Sequence, residues 1–392
     1  MRHTIAYAGL ISVLLLSACS SSQGETSPIS TPAPSHSPTP RTLVIWHPFS
    51  GAEEQALERL RLDFEARYPY VDVQLSAYSP DELFNAFVKA AQDGAGPDML
   101  VGTAAWSGTL AEHGWLAPVP WDTYDMLSEF IPPPLTYAAK LGEDAFGVPF
   151  SVEVGTLYFN RAWVTAPPET YTALRQQARE VGLLIAPSFA ATSGLYFTDG
   201  GPEALTENWP TRAAVIAYLE RVQQLGEQEG VIFTEDWGTF TSGQVGLLLA
   251  SSTDYAALHA ALGDDLGVAA LPMLMPHPWR ALATSTVAML SVNATRAAQD
   301  AAELFGAYLL TPEAQTLWFE RADHTPINVT ALSAPLYNAW QRTLDTAITP
   351  PPNAQTERVT LPALDAAVRA VTLNGASPAE ATNALMAVLR GR

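Results

Sequence analysis

Cys19 is the only thiol in a chain of 392 residues. One sulfur cannot form a disulfide framework or a cysteine-built metal site, but it can carry an acyl group. The remaining chemistry-bearing side chains are mostly carboxylates. Aspartate and glutamate number 40 against 20 arginines and lysines, for a formal net charge of -20. Carboxylates can work as acid and base pairs or accept paired hydrogen bonds from hydroxyl groups. Glycoside hydrolysis needs two of them at a set separation across a cleft, which spacing along a chain does not fix. His-Glu-x-x-His, Gly-x-Ser-x-Gly and a phosphate-cradling glycine loop are all missing. His113, His259, His277 and His324 are scattered without metal-ligand spacing. The residues favour binding over catalysis, with no metal and no cofactor. Lys89 and Lys140 are the only lysines, so no basic patch neutralises phosphates and nucleic acid is not an expected partner.

The flanks of Cys19 say what its thiol is for. Arg2 and His3 give a positive start, and residues 4–16 are an apolar run of signal-peptide length. That run is shorter than the roughly 20 residues of a spanning helix. Leu16-Ser17-Ala18-Cys19 resembles a bacterial lipobox. The resemblance implies a signal peptide over residues 1–18, cleavage before Cys19, and lipidation of that residue. Acyl chains, at about 0.8 kcal/mol per buried methylene, would anchor the chain to the cell membrane. A plain secretory signal with an incidental cysteine is the alternative. Residues 19–41 are rich in Ser, Thr and Pro and read as a solvated tether. A globular body starts near Thr42, outside the cytoplasmic membrane.

The body carries 48% hydrophobic and 15% charged residues over a length that suits two domains. "TLVIWH" reads as a buried strand. Ser50 and Glu53 then have capping-box spacing, and Leu57, Leu60 and Phe64 share one helical face. "VDVQLSAY" alternates as a strand does. Ser79, Pro80 and Glu82 open a second helix that Gly94 can close, and "PDMLVG" is a third strand. Strand, helix, strand, helix, strand argues for an α/β layer with a parallel sheet. Ligands bind beyond the carboxyl ends of such strands, where Trp46, His47 and Trp106 fall. Each tryptophan is either a local core residue under a loop or a ligand platform. Glu153, between Val152 and Val154 in an extended stretch, is either a solvent-facing strand residue or a cleft contact.

The body resembles a family 1 extracellular solute-binding protein of ABC importers, the group of maltose- and maltodextrin-binding proteins. The likeness rests on an ordered series: "FEARYPYVDV", "DELFNAFVKAAQDGAGPDMLVGTAAWSGTLAEHGWLAPV", "FGVPFSVEVGTLYFNRAWV", "GDDLGVAALPM", "AAELFGAYLLTPEAQ", "TPIN" and "SPAEATNALMAVL". It implies a two-lobed periplasmic-binding-protein-like fold of type II, each lobe a mixed sheet flanked by helices. Lobe 1 would be residues 42–152 plus 272–326, and lobe 2 residues 153–271 plus 327–392. Crossings would fall at 152–155, 271–276 and 325–329. The partners implied are a small solute, expected to be a sugar, and the permease's transmembrane subunits, with the binding protein a monomer.

Carried over by position, the resemblance makes Glu53 a carboxylate that holds sugar hydroxyls. Trp106 becomes an aromatic contact after "DMLVG", and Glu153 an acidic contact at the first crossing. Many members have an Asn-Gly-Pro-Trp-like turn where this chain reads "SSTDY", which leaves Tyr255 as the nearest aromatic. Many have a glycine pair and an aromatic where this chain has Ser285 and Thr286. Half of an aromatic clamp is therefore missing, which points to a smaller sugar, a polyol or a sugar derivative. Nothing in the residues separates an importer's binding protein from one that presents its ligand to a sensory receptor.

Overall fold

The computed structural model describes residues 39–198, 205 and 209–391. The expected signal peptide, Cys19 and nearly all of the tether lie outside the described residues. Regular structure begins with strand β1 (Arg41–His47). Helix α1 (Gly51–Arg67), strand β2 (Val71–Ala77), helix α2 (Pro80–Gln92) and strand β3 (Met99–Thr103) follow. Both β2 and β3 pair with β1 in parallel, as the alternation of elements requires.

Local signals account for these elements, except that neither Ser50 nor Ser79 caps its helix through its side chain. Leu57, Leu60 and Phe64 are buried on α1. Gly94 sits just past α2 with φ of +68°, a conformation glycine adopts without strain. Ser377 and Glu380 form a full capping box on the last helix, Pro378–Arg390. Ser50 makes no side-chain cap on α1. Glu53 is instead turned to His324, with Oε1 2.6 Å from Nε2.

One sheet runs through the whole body. Its first part has the order β2, β1, β3, then strand Ala283–Leu290 and the front of the 13-residue strand Val148–Asn160. The second part continues from the back of that long strand through Leu247–Ser251, Leu183–Ile185 and Val231–Phe233. Side chains alternate between the two faces. Leu43, Ile45, Met99 and Val101 enter one cluster, while Leu100, Val287 and Met289 enter another. In the second part Leu157, Leu183 and Leu247 face one cluster, and Tyr158, Leu184 and Leu248 the opposite one. Each half is thus a mixed sheet buried on both faces by helices.

The packing shows where the chain passes between halves. Val154 belongs to the first half's core and Leu157 to the second's. Leu282 packs in the second and Ala283 in the first. Ala347 packs in the first and Ile348 in the second. The three passages are neighbours, because Ala283 pairs with Val154 and Leu282 bridges Ile348. The Ala283 and Ile348 amides donate to the carbonyls of Ile348 and Ala281 at 2.9 and 2.8 Å. By this packing the first passage lies between Val154 and Leu157. The second lies between Leu282 and Ala283, and the third between Ala347 and Ile348. Before the third passage, Ile327, Trp340 and Leu344 pack in the first half's core.

Candidate functional site

A cavity of about 400 Å³ lies beside the three passages. The first half supplies Thr103 to Ala105, where β3 runs into helix α3 (Ala104–Glu112), and Ser151 to Glu153 on the long strand. Thr284 to Thr286 come from the neighbouring strand, and the second half adds Phe189 and Ala190 at a helix start. The segment after the third passage contributes Thr349, Glu357 and Asp365.

Strand register gathers hydroxyl groups here. Ser151 pairs with Thr286 and Pro326, and Val152 with Ser285 and Thr325. Among the described residues, the hydroxyls of Ser151, Ser285 and Thr325 are buried without a hydrogen-bond partner. Buried hydroxyls left unpaired are costly. Ser151 and Ser285 line the cavity, so a solute that paired with them would remove that cost.

Three carboxylates also line it, each held by one neutral donor. Ser251 Oγ donates to Glu153 Oε1 at 2.9 Å, Trp106 Nε1 to Glu357 Oε2 at 2.6 Å, and the Phe189 amide to Asp365 Oδ1 at 2.6 Å. Burial pushes Glu357 and Asp365 above the usual carboxylate range. Asp254, next to the lining residue Thr253, is pushed to about 6 by burial, with the charge of Glu153 adding to it. Among the described residues no lysine or arginine lines the cavity. The rings there are Phe189, a core residue 1% exposed, and the imidazole of His324.

The expected site residues divide into three groups. Glu153, Ser285 and Thr286 line the cavity. Glu53 does not line it, but holds His324, which does. Trp106 is 5% exposed and packed edge-on to Phe84, so it presents no stacking face and instead positions Glu357. The others lie elsewhere. Trp46 packs on Tyr78 with ring centroids 4.6 Å apart. His47 is buried, its basicity lowered by burial, at a separate groove with Glu54 and Glu58. Tyr255 stacks between His259 and Phe319. Ser151, Glu357 and Asp365 were not singled out in the sequence. Asp365 sits in an amphipathic helix, where a carboxylate reads as a solvated position.

The comparison with known proteins identifies the architecture. A model of the bacterial extracellular solute-binding proteins matches residues 60–344. The chain belongs to this family. A maltotriose-binding protein of Pyrococcus abyssi is 30% identical to the solute-binding protein over 135 residues, which is 34% of this chain and 29% of that relative. Solved structures match over far more of the length. A cyclo/maltodextrin-binding protein complexed with maltotetraose superposes with a TM-score of 0.73 at 19% identity, covering 91% of this chain and 98% of that one. An extracellular solute-binding protein from Staphylococcus aureus in complex with maltose gives 0.75 at 17% identity, covering 90% and 98%. At such identities the likeness is one of fold, and it bears out the two-lobed architecture of type II. No helix among the described residues is long and apolar enough to cross a membrane.

Proposed function

We propose that this solute-binding protein serves an ABC importer, taking a sugar or related polyhydroxy solute into the cavity between its lobes. The observation that carries the reading is the composition of the cavity. Both lobes and the segments joining them line it, and they offer carboxylates and unpartnered hydroxyls, the groups that bind sugar hydroxyls. The similar proteins named above are described by the sugars they hold, which supports the same class of solute here. The mechanism is hinge closure at the three adjacent passages. The solute settles on one lobe and the closed form gains contacts from both. Lipidated Cys19 would tether the protein to the outer face of the membrane, and the closed form would be presented to the permease's transmembrane subunits. A thermal-shift screen of the full chain against mono- and disaccharides tests the reading, because a ligand of the folded state raises the melting temperature. A panel with no shift at millimolar sugar contradicts it.

A further inference from the structure

Resting on that sugar-binding reading, we propose that the solute carries a protonated amino group: an amino sugar or aminocyclitol, gripped as a cation as well as by its hydroxyls.

The charges lining the cavity are unbalanced. Glu153, Glu357 and Asp365 face it, and the donors that hold them are a hydroxyl, an indole N–H and a backbone amide, all neutral. The arginines adjacent in sequence or one turn away, Arg358 and Arg369, lower the proton affinities of Glu357 and Asp365 by their charge but do not line the cavity. The Arg358 guanidinium lies 4.6 Å from the Phe84 ring centroid, and Arg369 pairs with Glu235 at 3.0 Å. Among the described lining residues His324 is the one side chain that can become a cation, and Glu53 already holds its Nε2.

Closure around a neutral sugar would bury these carboxylates further with no lysine or arginine among the described lining residues to face them. Uncompensated buried charge is among the most costly arrangements in a protein. Burial already raises the proton affinity of Glu357 and Asp365, which is the same cost expressed in another way. An ammonium on the solute offsets it and adds charge-assisted hydrogen bonds. The partner is organic and hydroxylated for two reasons. Ser151 and Ser285 bring buried, unpartnered hydroxyls to the same cavity. Among the described residues no group of three or more His, Cys, Asp or Glu is placed to hold a metal ion. The scarcity of exposed ring faces there agrees with a solute gripped by polar groups.

The test is calorimetry on the full chain in detergent at pH 7 with matched pairs: glucose and glucosamine, galactose and galactosamine, myo-inositol and its monoamino derivative. The N-acetyl sugars, which keep the bulk and lose the charge, complete the set. In at least one pair the amino member should bind roughly ten-fold or more tightly than its neutral partner, as expected for charge-assisted bonds. N-acetylation should abolish that advantage. Glu153→Gln should shrink it while leaving the melting temperature unchanged, since Glu153 is exposed and belongs to no core. Equal or tighter binding of the neutral members overturns the inference and leaves the sugar-binding reading standing. Failure of every member of every pair to bind overturns both.

Discussion

The indole N–H of Trp106 donates to Glu357 at 2.6 Å across 251 positions of chain. It joins a helix of the first lobe to the segment that follows the third passage. The tryptophan therefore positions a cavity carboxylate and has no face to offer a sugar.

Two substitutions separate its roles. Trp106→Ala removes a buried aromatic and should cost about 3–5 kcal/mol of stability, read from denaturant unfolding. Trp106→Phe keeps most of the volume and removes the donor. It should cost less stability but still weaken solute binding, because Glu357 loses its anchor. Full affinity in Trp106→Phe would show that the bond does not orient the carboxylate.

Asp254 should make stability depend on pH. Its folded value of about 6 lies above the ordinary 3.8 because of burial. The folded state thus holds the proton more tightly than the unfolded chain does. The resulting stabilisation is complete below about pH 4 and is lost as pH rises through about 6. Relative to Asp254→Asn, the wild type should lose on the order of 1–2 kcal/mol across that window, after discounting for partial solvent exposure. Urea titrations at pH 4 and pH 7 check this. A constant difference between the two proteins refutes it.

Gly155 marks the first passage, and a Cβ there would meet the Ala190 carbonyl oxygen at 2.7 Å. That oxygen belongs to backbone and cannot rotate away. Gly155→Ala should therefore push the helix Phe189–Tyr196 from the long strand, at about 1–3 kcal/mol. Solute affinity should fall with it, since Phe189 and Ala190 line the cavity. A variant with unaltered melting and affinity would show that the contact relaxes freely.

Cys19→Ala should release the protein from the membrane or leave its precursor uncleaved. Membrane fractionation with mass measurement of the mature amino end gives the result. An unmodified Cys19 in a soluble product removes the anchor.

The fold was readable where local pattern and tertiary packing agree. Leu57, Leu60 and Phe64 announced their helix, and the strand–helix alternation announced the parallel start of the sheet. The packing of Trp340 and Leu344 against the first half's core was not readable from local pattern, because it depends on which apolar surface is left uncovered. Within the cavity, Glu153 was legible from its place in an extended stretch between lobes. Ser285 and Thr286 were legible only as departures from a family pattern. Asp365 and Glu357 were hidden because a carboxylate on a helix looks solvated until tertiary packing covers it, as the Phe189 amide does for Asp365 and Trp106 does for Glu357. Trp46 and Tyr255 lie away from the cavity: Trp46 packs on Tyr78, and Tyr255 stacks on His259 and Phe319.

In the proposed reading the solute sits against Glu153 between the lobes. Isothermal titration of the wild type and Glu153→Gln, with whichever sugar of the panel binds most tightly, tests it most directly. The account predicts one site per wild-type chain and an affinity roughly ten-fold or more weaker in the variant, as for a lost hydrogen bond to a charged group, with equal melting temperatures. Equal affinity in the two proteins would place the solute elsewhere and contradict it.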